Sequence, residues 1–221
     1  MAYILHIDTA LDSCRVVLSQ NCDVVKELVV TEAREHAAKL PGLIQEMAGI
    51  MPLAQLDAIN VVAGPGSYTG LRVGLATAKG ICYALQKPLI LSSLLEIWAH
   101  AAFEQHKDTD LLCLPMIDAR RMEVFAELRS RTGEKLMPTG AYEVNDAFWN
   151  QVFAFNQPVL VTGNAAKKVF EVKQDPRLHF NIELPYTAID ITDTGYNAFI
   201  YKHFADLAYA EPLYAKEVYI K

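Results

Sequence analysis

The run AGPGSYTGLRVGLATAKG, from Ala63 to Gly80, gathers five of the chain's eleven glycines within seventeen residues. It grows out of AINVVA (Ala58 to Ala63), a short apolar segment rich in β-branched residues that reads as a buried strand. Gly64, Pro65 and Gly66 stop that strand. Ser67 or Thr69 can then cap a helix by accepting from a free first-turn N–H, and Leu71 to Leu85 continues without a breaking proline. The spacing predicts strand, glycine turn, helix. A residue without a Cβ permits positive φ in the turn and close approach of a backbone or a phosphate, and on the sequence both uses stay open.

The phosphate motifs that join glycines to a helix N-terminus do not fit the spacing. A Walker A loop needs a Gly-Lys pair followed by Ser or Thr, which Gly64, Gly66 and Gly70 do not offer. A dinucleotide fingerprint needs glycine where Thr69 stands and an acid about twenty residues on, but no Asp or Glu occurs between Pro65 and Leu95. A generic anion site survives, worth about 0.3–1 kcal/mol per charge from the helix dipole when exposed.

The helix that follows is apolar or small nearly all round, with Arg72, Thr77 and Lys79 almost its only polar groups. Such a helix needs cover on more than one side. Gly70, Gly74, Thr77 and Ala78 form a smooth line for a closely approaching element. Glycine inside a helix costs about 0.8–1 kcal/mol relative to alanine, so Gly74 and Gly80 together call for an offset of roughly 2 kcal/mol from tight packing. The cover comes either from the chain's own sheet and helices or from a partner protein.

With 221 residues the chain can bury one large core or two small ones. At 52% hydrophobic and 21% charged it has ordinary globular composition, and a net charge of −6 argues against nucleic-acid binding by the chain alone. The opening MAYILHIDTA lacks a basic start and its apolar run is cut by His6 and Asp8, so it does not read as a signal peptide. No apolar run reaches membrane-spanning length. Cys14, Cys22, Cys82 and Cys113 show neither metal-ligand spacing nor the density of a disulfide scaffold, and a cytoplasmic location is expected.

Along the first half, strands are expected at Tyr3 to Ile7, Arg15 to Ser19 and Val24 to Val30, with a turn at Gln20 to Asp23. A helix is expected over Ala33 to Met51, kinked or restarted at Pro41. After the glycine unit come a strand at Pro88 to Leu91 and a helix from Ser93 to about His106. The second half opens with strands at Leu111 to Ile117 and Glu123 to Arg129, has another at Val159 to Thr162, and ends in a helix from Asp193 to about Tyr209 with Tyr196, Ile200, Phe204 and Leu207 on one face. Residues 143 to 184 give little pattern. A meander followed by alternating helices and strands, twice over, resembles the α/β duplicated fold of actin, heat-shock chaperones and sugar kinases, which is ribonuclease H-like. The expected organisation is two small βββαβαβα-type lobes, the second degenerate: residues 1–106, completed by the helix around 193–209, and 107–192. In that superfamily the first hairpin carries an acid and small polar groups near phosphate, and Asp8-Thr9 followed by Ser13 is similar. A strand end and turn account for the same residues.

Three segments carry a closer resemblance: ILHIDTA (Ile4 to Ala10), AGPGSYTGLRVG (Ala63 to Gly74) and IDARRMEVF (Ile117 to Phe125). Together they resemble the TsaB family, bacterial partner proteins in tRNA threonylcarbamoyladenosine biosynthesis. The likeness covers the first 125 or so residues and returns at EPLYAK (Glu211 to Lys216), where Ala215-Lys216 departs from the family's usual Leu-Arg; Met122 also stands where glycine or a polar residue is usual. The resemblance implies a non-catalytic scaffold for tRNA modification that binds a larger paralogue, the TsaD transferase, with a TsaE-like ATPase joining the assembly. It implies tRNA contact only through the complex, no cofactor bound by this chain alone, and room for a nucleotide at the partner interface. It places the pairing surface on the first two helices, here His36, Leu40, Leu43, Met47, Gly70, Val73, Gly74, Thr77, Ala78 and Ile81. A homodimer through the same face is also compatible.

The catalytic paralogue has His-xxx-His on one helix face. Here no two histidines stand four apart, and His100 and His106, six apart, lie about 240° round a helix from each other. Neither a zinc-protease HExxH motif nor a GxSxG elbow is present. No catalytic or metal-ligating residue is therefore assigned. The alternative is a small ATP-binding phosphotransferase or ATPase of the same superfamily, with candidate nucleotide or phosphate contacts at Asp8, Thr9, Gly64, Gly66, Ser67, Asp118 and Arg120. For Asp118 and Arg120 a charged surface turn is the simpler reading.

Overall fold

The structure, a computed structural model, describes residues 1–31, 35–107, 110–183 and 186–216. It divides into two compact units, Met1–Leu94 with Thr187–Leu213, and Leu95–Tyr186 with Tyr214–Lys221.

The first unit is built on strands β1 (Tyr3–Asp8), β2 (Cys14–Gln20), β3 (Asp23–Val30), β4 (Ala58–Gly64) and β5 (Leu89–Ser93), in the order β3-β2-β1-β4-β5. The first three strands pair antiparallel, and β4 and β5 join parallel. Alternation sorts the side chains: Leu5, Ile7, Val16, Leu18, Ile59, Val61 and Leu89 face one core. That core is closed by α1 (His36–Ile50), through Leu40, Ile44 and Met47, and by α2 (Tyr68–Leu85), through Leu75, Ala78 and Cys82. The opposite face packs Ile4, Ala58 and Ile90 against Tyr196, Ala198 and Phe199 of α6 (Ala188–Ile200).

The second unit repeats the plan. Strands β6 (Leu112–Asp118), β7 (Glu123–Arg129), β8 (Lys135–Glu143), β9 (Val159–Thr162) and β10 (Leu178–Asn181) are ordered β10-β9-β6-β7-β8, so β6 to β8 form a meander and β9 and β10 add in parallel. One core draws on α4 (Asp146–Phe153) and α5 (Ala166–Val172), and the other face is covered by α3 (Leu94–Gln105) through Ala99, Ala102 and Phe103. The second sheet is thus complete in its strands, and its reduction lies in α4 and α5, of 8 and 7 residues. The expected lobe boundary at 106/107 and the observed division at 94/95 differ by the length of α3.

Three expectations change. Pro41 does not restart α1: it sits in the second turn of one continuous helix, on the exposed side. Ala33 and Arg34, expected in that helix, lie outside the described residues. The last helix starts earlier and stops earlier than expected. Thr187 and Asp190 cap its start, with the Thr187 N–H donating to Asp190 Oδ2 at 2.7 Å. At its end Lys202 takes φ 55°, and Ala205 then bridges to Leu89 of β5, so Phe204 and Leu207 belong to a non-helical return segment, Leu207 within a turn. β8 adds a strand where Pro138 and Gly140 interrupt the sequence pattern, which an edge strand tolerates.

Gly163 closes β9 with φ 99°, and a Cβ there would run into the Met116 carbonyl oxygen and the Trp98 ring. Gly163→Ala is therefore expected to destabilise the protein by about 2 kcal/mol or more, from backbone strain and overpacking together. Urea unfolding followed by Trp fluorescence measures this; a midpoint within error of the parent would contradict the packing.

Candidate functional site

The glycine turn forms as the spacing predicts. β4 is buried along its length and ends at Gly64 with φ 122°, followed by a cis peptide to Pro65. Ser67 caps α2, its Oγ accepting from the Gly70 N–H at 3.3 Å. The close approach made possible by the glycines is taken by the chain itself. A Cβ on Gly66 would overlap the Ala10 carbonyl, one on Gly70 the Thr9 carbonyl, and one on Gly74 the Thr9 hydroxyl. Two hydrogen bonds fix this seat: Ser67 N–H to the Ala10 carbonyl at 2.7 Å and Thr9 Oγ1–H to the Gly70 carbonyl at 2.7 Å. Asp8, fully buried, accepts from the Ala10 N–H at 3.0 Å.

Of the candidate phosphate contacts, Asp8, Thr9, Gly64, Gly66 and Ser67 do come together, at the ends of β1 and β4 and the start of α2. The volume that a phosphate would need against Gly66 and Gly70 is filled by the Thr9–Ala10 backbone. Asp118 and Arg120 sit in the second unit, after β6. Burial alone would raise the Asp118 carboxyl, yet the Lys168 ammonium and the Arg120 N–H that it accepts from hold it below the usual carboxylate range.

None of the ten residues expected on the pairing surface is exposed. His36, Leu40, Met47, Gly70, Gly74 and Ala78 are buried in their own unit, and Leu43, Val73, Thr77 and Ile81 are half-buried on its rim. Helical periodicity marks the apolar stripe, and that stripe faces the sheet. The line Gly70-Gly74-Ala78 therefore packs on β1 and β4. What α1 and α2 turn outward is a different set: Ala37, Ala38, Lys39, Pro41, Gly42, Gln45, Glu46, Gly49 and Ile50, and Tyr68, Thr69, Arg72, Ala76, Gly80, Tyr83 and Ala84. Gly42, Gly49 and Gly80 differ from the buried glycines, because a Cβ on any of them would meet open space. The only sequence signal for them is glycine within a helix, where it costs stability.

His6 is spent on structure. In the sheet beneath α6, Ser92 Oγ donates to Asn60 Oδ1 at 2.8 Å, Asn60 Nδ2 donates to His6 Nδ1 at 3.0 Å, and the remaining His6 Nε2–H serves Ser19 Oγ at 2.8 Å. The chain of bonds crosses β5, β4, β1 and β2, and Gly195 of α6 lies on it, where a Cβ would come within 2.7 Å of Asn60 Nδ2. Burial lowers the His6 pKa to about 3. His36, also buried, donates from Nε2 to the Asp12 carbonyl at 3.1 Å. Among the described residues no group of three or more His, Cys, Asp or Glu side chains is placed to hold a metal, and no helix is long and apolar enough to cross a membrane.

The family model described as TsaD, tRNA N6-adenosine threonylcarbamoyltransferase, matches residues 26–217. The chain is similar to the tRNA threonylcarbamoyladenosine biosynthesis protein TsaB of Haemophilus influenzae, with 34% identity over 126 residues, covering 55% of this chain and 51% of that protein. It spans about half the length of the curated relatives it matches. Among solved structures it is similar to an uncharacterized Pseudomonas aeruginosa protein with similarity to the peptidase YeaZ, at TM-score 0.79 and 24% identity over 98% of this chain and 100% of that one. It is also similar to a candidate N-acetylmannosamine kinase of Listeria monocytogenes, at TM-score 0.52 and 10% identity over 91% and 99%. These likenesses and the repeated sheet order make the fold the duplicated ribonuclease H-like one of actin and the sugar kinases.

His6 makes stability pH-dependent with a definite sign. Its folded pKa lies below the unfolded value near 6.5, so between about 6.5 and 3 the unfolded chain binds a proton that the folded chain refuses. The stability held above pH 6.5 is lost as pH falls through that window, at up to about 1.4 kcal/mol per pH unit. Urea unfolding at pH 7, 6 and 5 should show the loss in the parent and less of it in His6→Leu. Equal slopes in the two proteins would contradict it.

Proposed function

Because the chain belongs to the TsaD family of tRNA N6-adenosine threonylcarbamoyltransferases, we propose that it serves the formation of threonylcarbamoyladenosine in tRNA as a TsaB-like, non-catalytic partner of a larger transferase paralogue. The observation that carries the reading is the outer face of α1 and α2. Gly42, Gly49 and Gly80 have nothing in their own chain that requires the missing Cβ. At about 0.8–1 kcal/mol each relative to alanine, they carry a helix penalty that intrachain packing does not offset. A partner backbone approaching closely would offset it. Tyr83, 80% exposed on the same helix as Gly80, supplies an aromatic anchor of the kind found at interface centres.

Support for a non-catalytic role comes from where the chemistry-bearing groups are used. Asp8, Thr9, His6 and His36 are all buried and hydrogen-bonded within the first unit. The glycine turn holds the chain's own carbonyls, which argues against the small phosphotransferase and for a chain that binds no nucleotide alone; a nucleotide would instead reach it at the partner interface. The same outward face suits a homodimer when the transferase is absent.

Gly42→Leu with Gly80→Leu tests the surface without disturbing the fold, since leucine is the better helix former and both positions are open. The isolated double variant is expected to match or exceed the parent's thermal midpoint. It should also lose co-purification with the transferase and the stimulation of tRNA modification in a reconstituted reaction. Full stimulation by the variant would remove this surface from the proposal. A reaction that proceeds equally well with no added chain would remove the function itself.

A further inference from the structure

The turn between β6 and β7 is built against local preference. Arg120 takes φ 72° and Arg121 φ 45°, two successive side-chain-bearing residues in the left-handed region where glycine, asparagine or aspartate are the ordinary choices. Each such residue costs on the order of 1 kcal/mol or more. The surrounding bonds impose the conformation: the Ala119 N–H donates to the Glu123 carbonyl at 3.2 Å, the Glu123 N–H to the Arg120 carbonyl at 3.1 Å, and the Arg120 N–H to Asp118 Oδ1 at 2.8 Å. All three use backbone groups of the turn, so they explain its shape and give no reason for arginine.

The side chains supply the reason. Both arginines are exposed, and neither guanidinium meets a hydrogen-bond or ion-pair partner among the described residues. Two of the nearby carboxylates are already engaged: Asp118 by the Lys168 ammonium, and Glu123 by Lys216, whose Nζ lies 2.8 and 2.9 Å from its two oxygens; the third, Glu143, lies opposite Glu123 on β8 and meets neither guanidinium. Four cations, Arg120, Arg121, Lys168 and Lys216, share this hairpin end with three carboxylates, Asp118, Glu123 and Glu143, which leaves a local positive charge in surplus on a chain whose net charge is −6. The two arginines are the cations of this group that hold no carboxylate.

We propose that Arg120 and Arg121 contact the phosphate backbone of the tRNA substrate, an inference that rests on the function proposed above. Planar guanidinium groups match phosphate oxygens in paired hydrogen bonds. An exposed hairpin tip suits a polyanion lying across it better than a nucleotide that must bury its base. Contacts of this kind position a nucleic acid without reading its sequence. Two charges on one turn are also consistent with an acidic chain that does not hold RNA alone and touches it only within the assembled complex.

The test uses the assembled complex with Arg120→Gly/Arg121→Gly and, separately, Arg120→Lys/Arg121→Lys. Glycine relieves the left-handed strain, so the first variant should keep or raise the thermal midpoint and should still co-purify with the transferase. Its KM for tRNA should rise several-fold at 0.15 M salt with kcat unchanged, and the slope of log affinity against log salt should shrink by about 2, one per lost contact. The lysine variant should keep most of the slope. An unchanged KM and slope in the glycine variant, with the complex intact, overturns this inference and leaves the partner function standing. A raised KM for ATP with that for tRNA unchanged assigns the arginines to a nucleotide and overturns it likewise. A parent chain that forms no complex overturns both readings.

Discussion

The first unit depends on one contact, the seating of the Thr9–Ala10 backbone in the first turns of α2. Three positions of that helix and its lead-in, Gly66, Gly70 and Gly74, must lack a side chain for the seat to exist. The Thr9 hydroxyl and the Ser67 N–H lock it from either side. Because Thr9 follows β1 and Ser67 follows β4, the contact sets where the helix leaves the sheet and therefore which of its faces is buried. The glycine spacing that resembles a phosphate cradle thus serves a tight intrachain joint. A Cβ at any of the three would push against backbone or a buried hydroxyl with no free volume to move into.

This joint explains what could be read from the sequence. The strand, turn and helix from Ala58 to Leu85 were legible because glycine, proline and a capping serine punctuate an unbroken apolar run. The meander from Tyr3 to Val30 was legible from alternation. The short elements between Glu143 and Asn181 were not: α4, α5 and β10 have too few residues to display a period, and burial by neighbours decides their state. The last helix differs from its sequence pattern at both ends for a related reason. Phe204 and Leu207 keep helical spacing after Ile200, but the segment is held instead by the bridge of Ala205 to β5 and by Lys79, whose ammonium takes the Ala208 and Ala210 carbonyls at 3.2 and 3.1 Å. Contacts more than a hundred residues apart in sequence leave no local signal.

The candidate surface was legible in its helices and illegible in its residues. Periodicity finds positions that want to be dry, and in a layered unit the first claimant on them is the chain's own sheet. His36, Leu40, Met47, Gly70, Gly74 and Ala78 went to that claimant. A docking face on a folded protein must be stable in water before its partner arrives, so it is marked by small and neutral residues at outward positions. The outward alanines and glycines of α1 and α2, beside Tyr68 and Tyr83, fit that requirement, and glycines of two kinds can be told apart only once the space around each is known.

The duplication makes the two halves informative about each other. β4 and β9 hold the same place in their sheets, and each ends at a glycine with positive φ, Gly64 and Gly163, where a Cβ would press on a backbone carbonyl. The fourth strand therefore ends in the same kind of joint in both units. The hairpins beside it have diverged. After β1 the turn carries the backbone that sits in α2, and its polar groups are consumed in doing so. After β6 the equivalent turn stays exposed and carries two strained arginines with no partner among the described residues. A turn freed from the packing duty of its counterpart has no stability reason to keep arginine in the left-handed region, since glycine would relax it. The strain costs stability that glycine would recover, and the proposed phosphate contact gives arginine a reason to stand there.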